Sequence, residues 1–178
     1  MSRLQEPTPV KPMAALFAAE QEILARAARA LEDRLGPIDY ISQPFRFDQT
    51  AYYEREMGGP LVKRFLSAER LMDPGDLVEL KVFATNLEAG FSEAGRRKIN
   101  IDPGYISLER LVLATGKNYL HRIYLGRGVY ADLTLIYEKG GFQPLPWTYP
   151  DYASPEVRAV LALMRERLLD QLRDRRQP

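Results

Sequence analysis

Between residues 13 and 102 the spacing of apolar residues switches between the period of a strand and that of a helix. The order is strand, helix, strand, strand, helix, strand. No other feature restricts the fold as much, because this order is that of the split βαβ, ferredoxin-like pattern. The compact run Met13 to Ala19 suits a buried strand. From Glu20 to Leu35 the residues Leu24, Ala27, Ala28, Leu31 and Leu35 recur at helical spacing, and Gly36-Pro37 supplies the stop. Ile38 to Phe47, with Tyr40, Phe45 and Phe47, predicts a second strand, which Pro44 places at an edge or a bulge. Residues 48–61 fit neither period and are expected to form a structured excursion. Val62 to Glu69 predicts a strand. Asp73-Pro74 then reads as an N-cap with proline at N1, opening a helix through Leu77, Leu80, Ala84, Leu87 and Phe91. Residues 97–102 alternate Lys98, Asn100 and Asp102 with Ile99 and Ile101, the period of a half-buried strand, and Pro103-Gly104 is expected to close it with a turn.

Beyond this core the spacing predicts a short helix over Ser107 to Thr115, stopped by Gly116. A hairpin follows, from Leu120–Leu125 and Val129–Tyr137 about the turn Gly126-Arg127-Gly128, with a second turn at Lys139-Gly140-Gly141. Ser154-Pro155-Glu156 caps a final helix striped by Val157, Val160, Leu161, Met164, Leu168 and Leu172. The fold class expected is α+β, a ferredoxin-like (βαββαβ) core with an added β-hairpin and a C-terminal helix. Another α+β meander built from the same elements is the alternative. A chain of 178 residues supplies one substantial core but is short for two. Residues 1–9, polar and proline-spotted, are read as a flexible lead-in to a single domain over 10–178.

Composition excludes several classes of function. The 25 basic and 24 acidic side chains leave a formal charge of +1, so bulk attraction to nucleic acid or anionic lipid is not expected. Arg96, Arg97, Lys98, Lys117, Arg122 and Arg127 would make only a local basic patch, without the aromatic signature of an RNA-binding sheet. The absence of cysteine removes disulfides, thiolate nucleophiles and cysteine-held metals, and fits a reducing, cytoplasmic setting. The N-terminal stretch has no apolar signal region and no segment approaches a bilayer span, so secretion and membrane insertion are not expected.

Four segments together resemble a known bacterial family, domain of unknown function 4416: GPID at 36–39, RRKINIDPGYISLERLVLAT at 96–115, HRIYLGRGVYADLTLIY at 121–137 and FQPLPWTYPDY at 142–152. The resemblance covers nearly the whole chain and implies a protein made of this one domain, but it brings no assigned activity and no catalytic residue. Proteins resembling this one sometimes carry a GTP-binding label. The residues give a P-loop GTPase no support: Gly116-Lys117 is followed by Asn118, no glycine lies five residues before Gly116, and no Asn-Lys-x-Asp guanine reader is present.

The residues themselves offer one region for chemistry, 96–152. His121, the sole histidine, stands beside Arg122, an imidazole for acid–base work next to a guanidinium for an anion. By strand parity His121 shares a face with Ile123 and Leu125, which also fits a partly buried structural histidine. The other parity gathers Lys98, Asn100, Asp102, Arg122, Tyr124, Tyr130, Asp132 and Thr134 on the sheet face opposite the helices, a face expected to lie open to water, ligand or a second subunit. Two readings stay open for it, a solvated face with cross-strand ion pairs and a pocket for a small anionic ligand. In the pocket reading Lys98, Arg96 and Arg122 hold the anion, Asn100 and Tyr124 line it, and His121, Asp102 or Asp132 moves the proton. The stretch PLPWTYPDY, 144–152, brings Trp147, the two tyrosines Tyr149 and Tyr152, and Asp151 and is expected to be irregular, either a lid over a ligand or a fixed strap in which Trp147 fills a gap. Thr50, Tyr52, Tyr53, Glu54 and Glu56 offer a wall or a general acid, but a surface loop is the favoured reading. One histidine forbids a multi-histidine metal site, no EF-hand loop is present, and no cofactor can be named. The expected function is binding of, or catalysis on, a small phosphorylated or carboxylated metabolite. The alternative is a non-catalytic module for dimerisation or for a protein partner.

Overall fold

The computed structural model describes residues 3–47, 53 and 56–175. In chain order these form β1 (Lys11–Ala18), α1 (Gln21–Leu35), β2 (Ile38–Ile41), β3 (Phe45–Phe47), β4 (Leu61–Ala68), a 3-10 turn (Pro74–Asp76), α2 (Leu77–Gly90), β5 (Ile99–Ile106), β6 (Arg110–Thr115), β7 (Arg122–Gly126), β8 (Val129–Glu138), β9 (Gly141–Pro144), α3 (Pro150–Ala153) and α4 (Pro155–Asp174). The chain is α+β. Its nine described strands make one sheet in the order β2-β4-β1-β5-β6-β8-β7, antiparallel at every pairing.

Both edges of this sheet are split. β2 and β3 lie end to end along β4, and β7 and β9 lie end to end along β8. The interruption at 42–44 contains Pro44, which cannot donate to a ladder, as its edge position predicts. Where an edge is interrupted, backbone groups of the neighbouring strand need other partners. Ser42 meets this at the first edge, its backbone N–H donating to the Phe65 carbonyl at 2.8 Å and its Oγ accepting from the Phe65 N–H at 3.0 Å.

Two expectations fail in the middle of the chain. Pro103-Gly104 is not a turn: β5 runs through it, pairing with β1 along its whole length and with β6 from Gly104 onward. Gly104 is there for close approach, since a Cβ at that position would stand 2.4 Å from the Val112 carbonyl oxygen and 2.8 Å from a Leu113 methyl. Residues 110–115 form a strand, not a helix. Leu111, Val112, Leu113 and Ala114 are all buried because both faces of the sheet are covered here, and a doubly buried strand has the same continuous apolar run as a buried helix. The chain beyond β5 therefore adds four strands to the sheet rather than a hairpin alone.

α1 and α2 pack on one face. Ile23, Leu24, Ala27, Leu31 and Leu35 meet Ala14, Leu16, Ala18, Leu66, Ile99 and Ile101, joined by Leu80 and Ala84. α2 also reaches Val112, Ala114 and Val129 through Leu77. The other face does not lie open, contrary to expectation. α4 crosses it, burying Val157, Leu161, Met164, Leu168 and Leu172 against Met13, Ala15, Phe65, Ile106, Leu111, Leu135 and Phe142. Near the C-terminal end of α4, Gln171 helps close a buried ion pair: the Lys11 ammonium donates to Asp39 (2.5 Å), the Ala68 carbonyl (3.1 Å) and Gln171 (2.9 Å), so all three N–H bonds are used. Burial holds the Lys11 pKa below its ordinary value despite Asp39.

β5 pairs with β6 only from Gly104, which leaves the outer edge of β5 bare around Ile101. α2 completes it with side chains: Glu88 accepts from the Ile101 N–H at 2.5 Å and Lys81 donates to its carbonyl at 3.3 Å. Burial pushes the Glu88 carboxyl above its ordinary pKa. Such a group binds a proton more readily folded than unfolded, so its contribution favours folding at low pH and is lost as pH rises past the ordinary carboxylate range. Glu88→Gln keeps an acceptor and removes the titration. Its melting temperature relative to the unsubstituted protein should therefore rise between pH 4 and pH 7.5 in a differential scanning series. Gly104→Ala, in contrast, must push apart two central strands and should cost about 2–3 kcal/mol in urea unfolding.

Candidate functional site

The register of β7 on β8 sets Arg122 directly opposite Asp132. Arg122 Nε donates to Asp132 Oδ2 at 2.8 Å, Nη1 donates to the Lys117 carbonyl at 2.9 Å, and Nη2 reaches the Tyr149 hydroxyl at 3.5 Å. Burial works against this guanidinium, but hydrogen bonds to Asp132 and Tyr149 outweigh it and its pKa is raised. His121 lies in the turn before β7, held by the Arg122 N–H donating to the Tyr119 carbonyl, so strand parity does not govern it. Its Nε2 sits 3.2 Å from the same Asp132 Oδ2. Asp132 Oδ1 accepts from Thr134 Oγ1 at 3.2 Å. One buried carboxylate thus orients a histidine and an arginine together. With Nε2–H given to Asp132, the neutral imidazole carries its lone pair on Nδ1, which is buried without a hydrogen-bond partner among the described residues.

The imidazole is held from above by the 144–152 segment, stacking on Trp147 at 4.7 Å with a 10° interplanar angle. That segment is fixed on the split edge of β8. β7 pairs with residues up to Asp132 and β9 with residues from Leu135, so the carbonyls of Leu133 and Thr134 fall in the gap. Trp147 Nε1–H donates to the first at 2.7 Å and Thr148 Oγ1–H to the second at 2.6 Å, while Thr148 Oγ1 accepts from the Leu145 N–H at 2.8 Å. The segment ends in the single turn α3, a regular piece in a stretch expected to have none.

α3 delivers Asp151 and Tyr152 to the same face of the sheet, beside residues of β4 and β5. Lys63, on β4 and 4% exposed, donates to Asp151 Oδ2 at 2.6 Å. Around its ammonium stand the rings of Tyr152 (4.3 Å), Phe47 (5.3 Å), Phe65 (5.3 Å) and Phe17 (5.7 Å). Lys11 spends three N–H bonds on oxygen atoms. Lys63 has one such partner among the described residues and turns the rest of its charge toward aromatic faces. Asn100 Nδ2 donates to Asp102 at 2.9 Å, and Arg97 grips Glu56 by two parallel bonds of 2.9 and 2.8 Å and reaches Asn100 at 3.4 Å. This pairing raises the Arg97 pKa and lowers that of Glu56. The Tyr152 hydroxyl is buried with no hydrogen-bond partner among the described residues. Burial first, and then the charges of Asp102, Asp151 and Asp132, push its pKa well up, so it remains a protonated phenol.

Of the residues expected at a site, His121, Arg122, Asp132, Trp147 and Tyr149 stand together, and Asn100, Asp102 and Asp151 lie on the same half-face. Lys98 pairs with Glu93 at 3.3 Å, Arg96 is exposed in a turn beside it, and Tyr124 packs on Tyr130 out along the hairpin. Thr50, Tyr52 and Glu54 lie outside the described residues, whereas Tyr53 packs on Phe17 at 4.9 Å. Sequence reasoning missed Lys63, and it counted Tyr152 only as one of the strap's tyrosines and Arg97 only in a local basic patch. A signal for Lys63 existed, since it shares strand parity with Leu61 and Phe65, where a lysine is out of place. The cluster is not a solvated face: Asn100, Asp132, Lys63 and Tyr152 are all under 9% exposed. Among the described residues no three His, Asp or Glu side chains gather as a metal site requires. Two surface cavities of about 350 and 200 Å³ lie at the other end of β1, around Arg70 and Leu71, and contain none of these residues.

Residues 8–168 match the family described as Domain of unknown function (DUF4416), and the chain belongs to that family. Comparison with curated proteins and with solved structures gave no match. The geometry of the strap yields its own test. Trp147→Phe keeps most of the stack on His121 but leaves the Leu133 carbonyl unpaired, and should cost about 1 kcal/mol in urea unfolding. Trp147→Ala also uncovers the imidazole and should cost about 3 kcal/mol.

Proposed function

We propose that this protein binds a small anionic metabolite, phosphorylated or carboxylated, on the half of the sheet face that α4 does not reach, with His121 and Asp132 poised for proton transfer to or from it. The observation that carries the reading is that one strap engages two cations and an oriented histidine: Trp147 stacks on His121, Tyr149 reaches Arg122, and Asp151 pairs with Lys63. Burying so many charges costs several kcal/mol unless each is matched, and such clusters concentrate where binding or catalysis needs them. Lys63 keeps N–H bonds that no described oxygen takes, and the 3.5 Å contact between Arg122 and Tyr149 is the loosest in the network. A ligand entering beside Tyr149, which is 57% exposed, would meet Arg122 there, with Lys63 farther along the strap at Asp151. The Nδ1 lone pair of His121, backed by Asp132, is the group suited to accept a proton.

The same reading takes β1, α1, β2 with β3, β4, α2 and β5 as a ferredoxin-like core. The antiparallel order β2-β4-β1-β5 and the packing of both helices on one face support it. The cysteine-free composition supports a place in the bacterial cytoplasm. A second reading, an interaction module, draws on one observation. β7 is a bare edge strand with Ile123 70% exposed and Leu120 95% exposed just before it, a surface fit for a second copy of the chain. Light scattering separates the two: under the first reading the protein is monomeric at micromolar concentration, and Ile123→Lys leaves its mass unchanged.

Isothermal titration with inorganic phosphate and with citrate tests the binding directly. At least one should bind, and Arg122→Gln should weaken it about tenfold or more, the worth of a charge-assisted hydrogen bond. No heat from either anion, at concentrations into the millimolar range, would sink the reading.

A further inference from the structure

The charges on the candidate site do not come out even. Lys63 is matched by Asp151, Arg97 by Glu56 and Arg122 by Asp132. Asp102 has no cation among the described residues and accepts only from the Asn100 amide. It is also the least covered of the cluster's aspartates on strands, half-buried where Asp132 is buried. The Tyr152 hydroxyl, on a side chain 2% exposed, lies within the field of Asp102, Asp151 and Asp132 and has no hydrogen-bond partner among the described residues. Asp102 and Phe65 flank Ala15 in register on one sheet face, and the Tyr152 ring packs edge-on to Phe65 at 5.6 Å, so the buried phenol and the spare carboxylate lie on the same face as a donor and an acceptor. That pair matches an alcohol, which accepts through its oxygen and donates through its hydrogen. A carboxylate offers no donor for Asp102, and the P–OH of an inorganic phosphate comes with a negative charge that Asp102 repels.

We propose that the anion bound here carries an alcohol hydroxyl, seated between the Tyr152 phenol, which donates to it, and the Asp102 carboxylate, which accepts from it. The inference rests on the reading of the site as an anion site and narrows it to hydroxylated anions, either sugar or polyol phosphates or hydroxy acids. Sites built to hydrogen-bond a ligand hydroxyl reject analogues lacking it, because their own polar groups are then left unpaired. An unpartnered hydroxyl also contributes nothing to the empty protein, so Tyr152→Phe should melt at or above the unsubstituted protein when no ligand is present.

The experiment is a calorimetric titration of the full chain, Tyr152→Phe and Asp102→Asn with two matched pairs of probes. Glycerol 3-phosphate is set against inorganic phosphate, and malate against succinate. In the unsubstituted protein the hydroxylated member of at least one pair should bind about tenfold tighter, and the pair that shows it names the source. Both substitutions should remove that preference; Tyr152→Phe should leave the affinity for inorganic phosphate or succinate within about twofold, and Asp102→Asn, which relieves the repulsion, should leave it equal or tighter. Equal affinities within both pairs, or a preference that survives both substitutions, overturns the inference. So does tighter binding of phosphoethanolamine than of glycerol 3-phosphate, which would make Asp102 an ammonium site. A marked loss of stability in Tyr152→Phe without ligand would show that the hydroxyl serves the fold and overturn it as well. If neither inorganic phosphate nor succinate binds but glycerol raises the melting temperature in a Tyr152-dependent way, the alcohol site stands and the anion reading falls. If nothing binds, both fall.

Discussion

The two carbonyls of Leu133 and Thr134 lie in the gap between β7 and β9, and the rest of the site depends on how they are satisfied. The Thr134 carbonyl is part-buried, and a buried carbonyl left unpaired costs about 1–3 kcal/mol, a large share of the stability of a small domain. Trp147 and Thr148 meet both needs with side chains and so tie down a segment that has little regular structure of its own. Once tied, the segment lays the indole on His121 and directs α3, with Asp151 and Tyr152, toward Lys63. A hydrogen-bonding requirement of one strand edge thereby positions groups that come from four separate stretches of chain.

The same device recurs wherever the sheet is incomplete. Ser42 covers Phe65 between β2 and β3, and Glu88 with Lys81 covers Ile101 where β6 has not yet begun. Each gap is filled by a polar side chain whose own charge or hydroxyl then becomes part of the interior. α4 works differently. Its apolar stripe covers one half of the face and leaves the other half to the strap and to the segment around Tyr53, Glu56 and Met57. Charged residues of that half-face, interior without being apolar, are consequently matched one against another. Asp102 is left over.

Much of this was legible in the chain. Period gave α1, α2 and α4 nearly to the residue, because each of these helices has one buried side and one exposed side, and the Gly126-Arg127-Gly128 turn marked the β7–β8 hairpin. Pro44 announced an edge, and Ser154 a helix cap that the Val157 N–H uses at 3.3 Å. Period failed for β6, whose two buried faces erase the contrast on which such reading depends. Gly104 misled for a related reason: glycine marks a turn and a close strand contact alike, and only the neighbouring strand distinguishes them.

For the site, the sequence by itself determined the residue types and their strand parity, which put Asn100, Asp102, Arg122 and Asp132 on one side of the sheet. Pairing of β7 with β8 turned the parity of Arg122 and Asp132 into a contact. Tertiary structure alone decided that His121 joins them, since a turn and not a strand sets its direction. It also decided that Lys63 and Tyr152 belong, since residues 89 positions apart meet only after α3 docks on β4. The physical reason is the range of the forces involved. Period and parity are set by local backbone geometry, whereas the matching of buried charges and the filling of strand gaps are settled only when distant segments are brought together out of water.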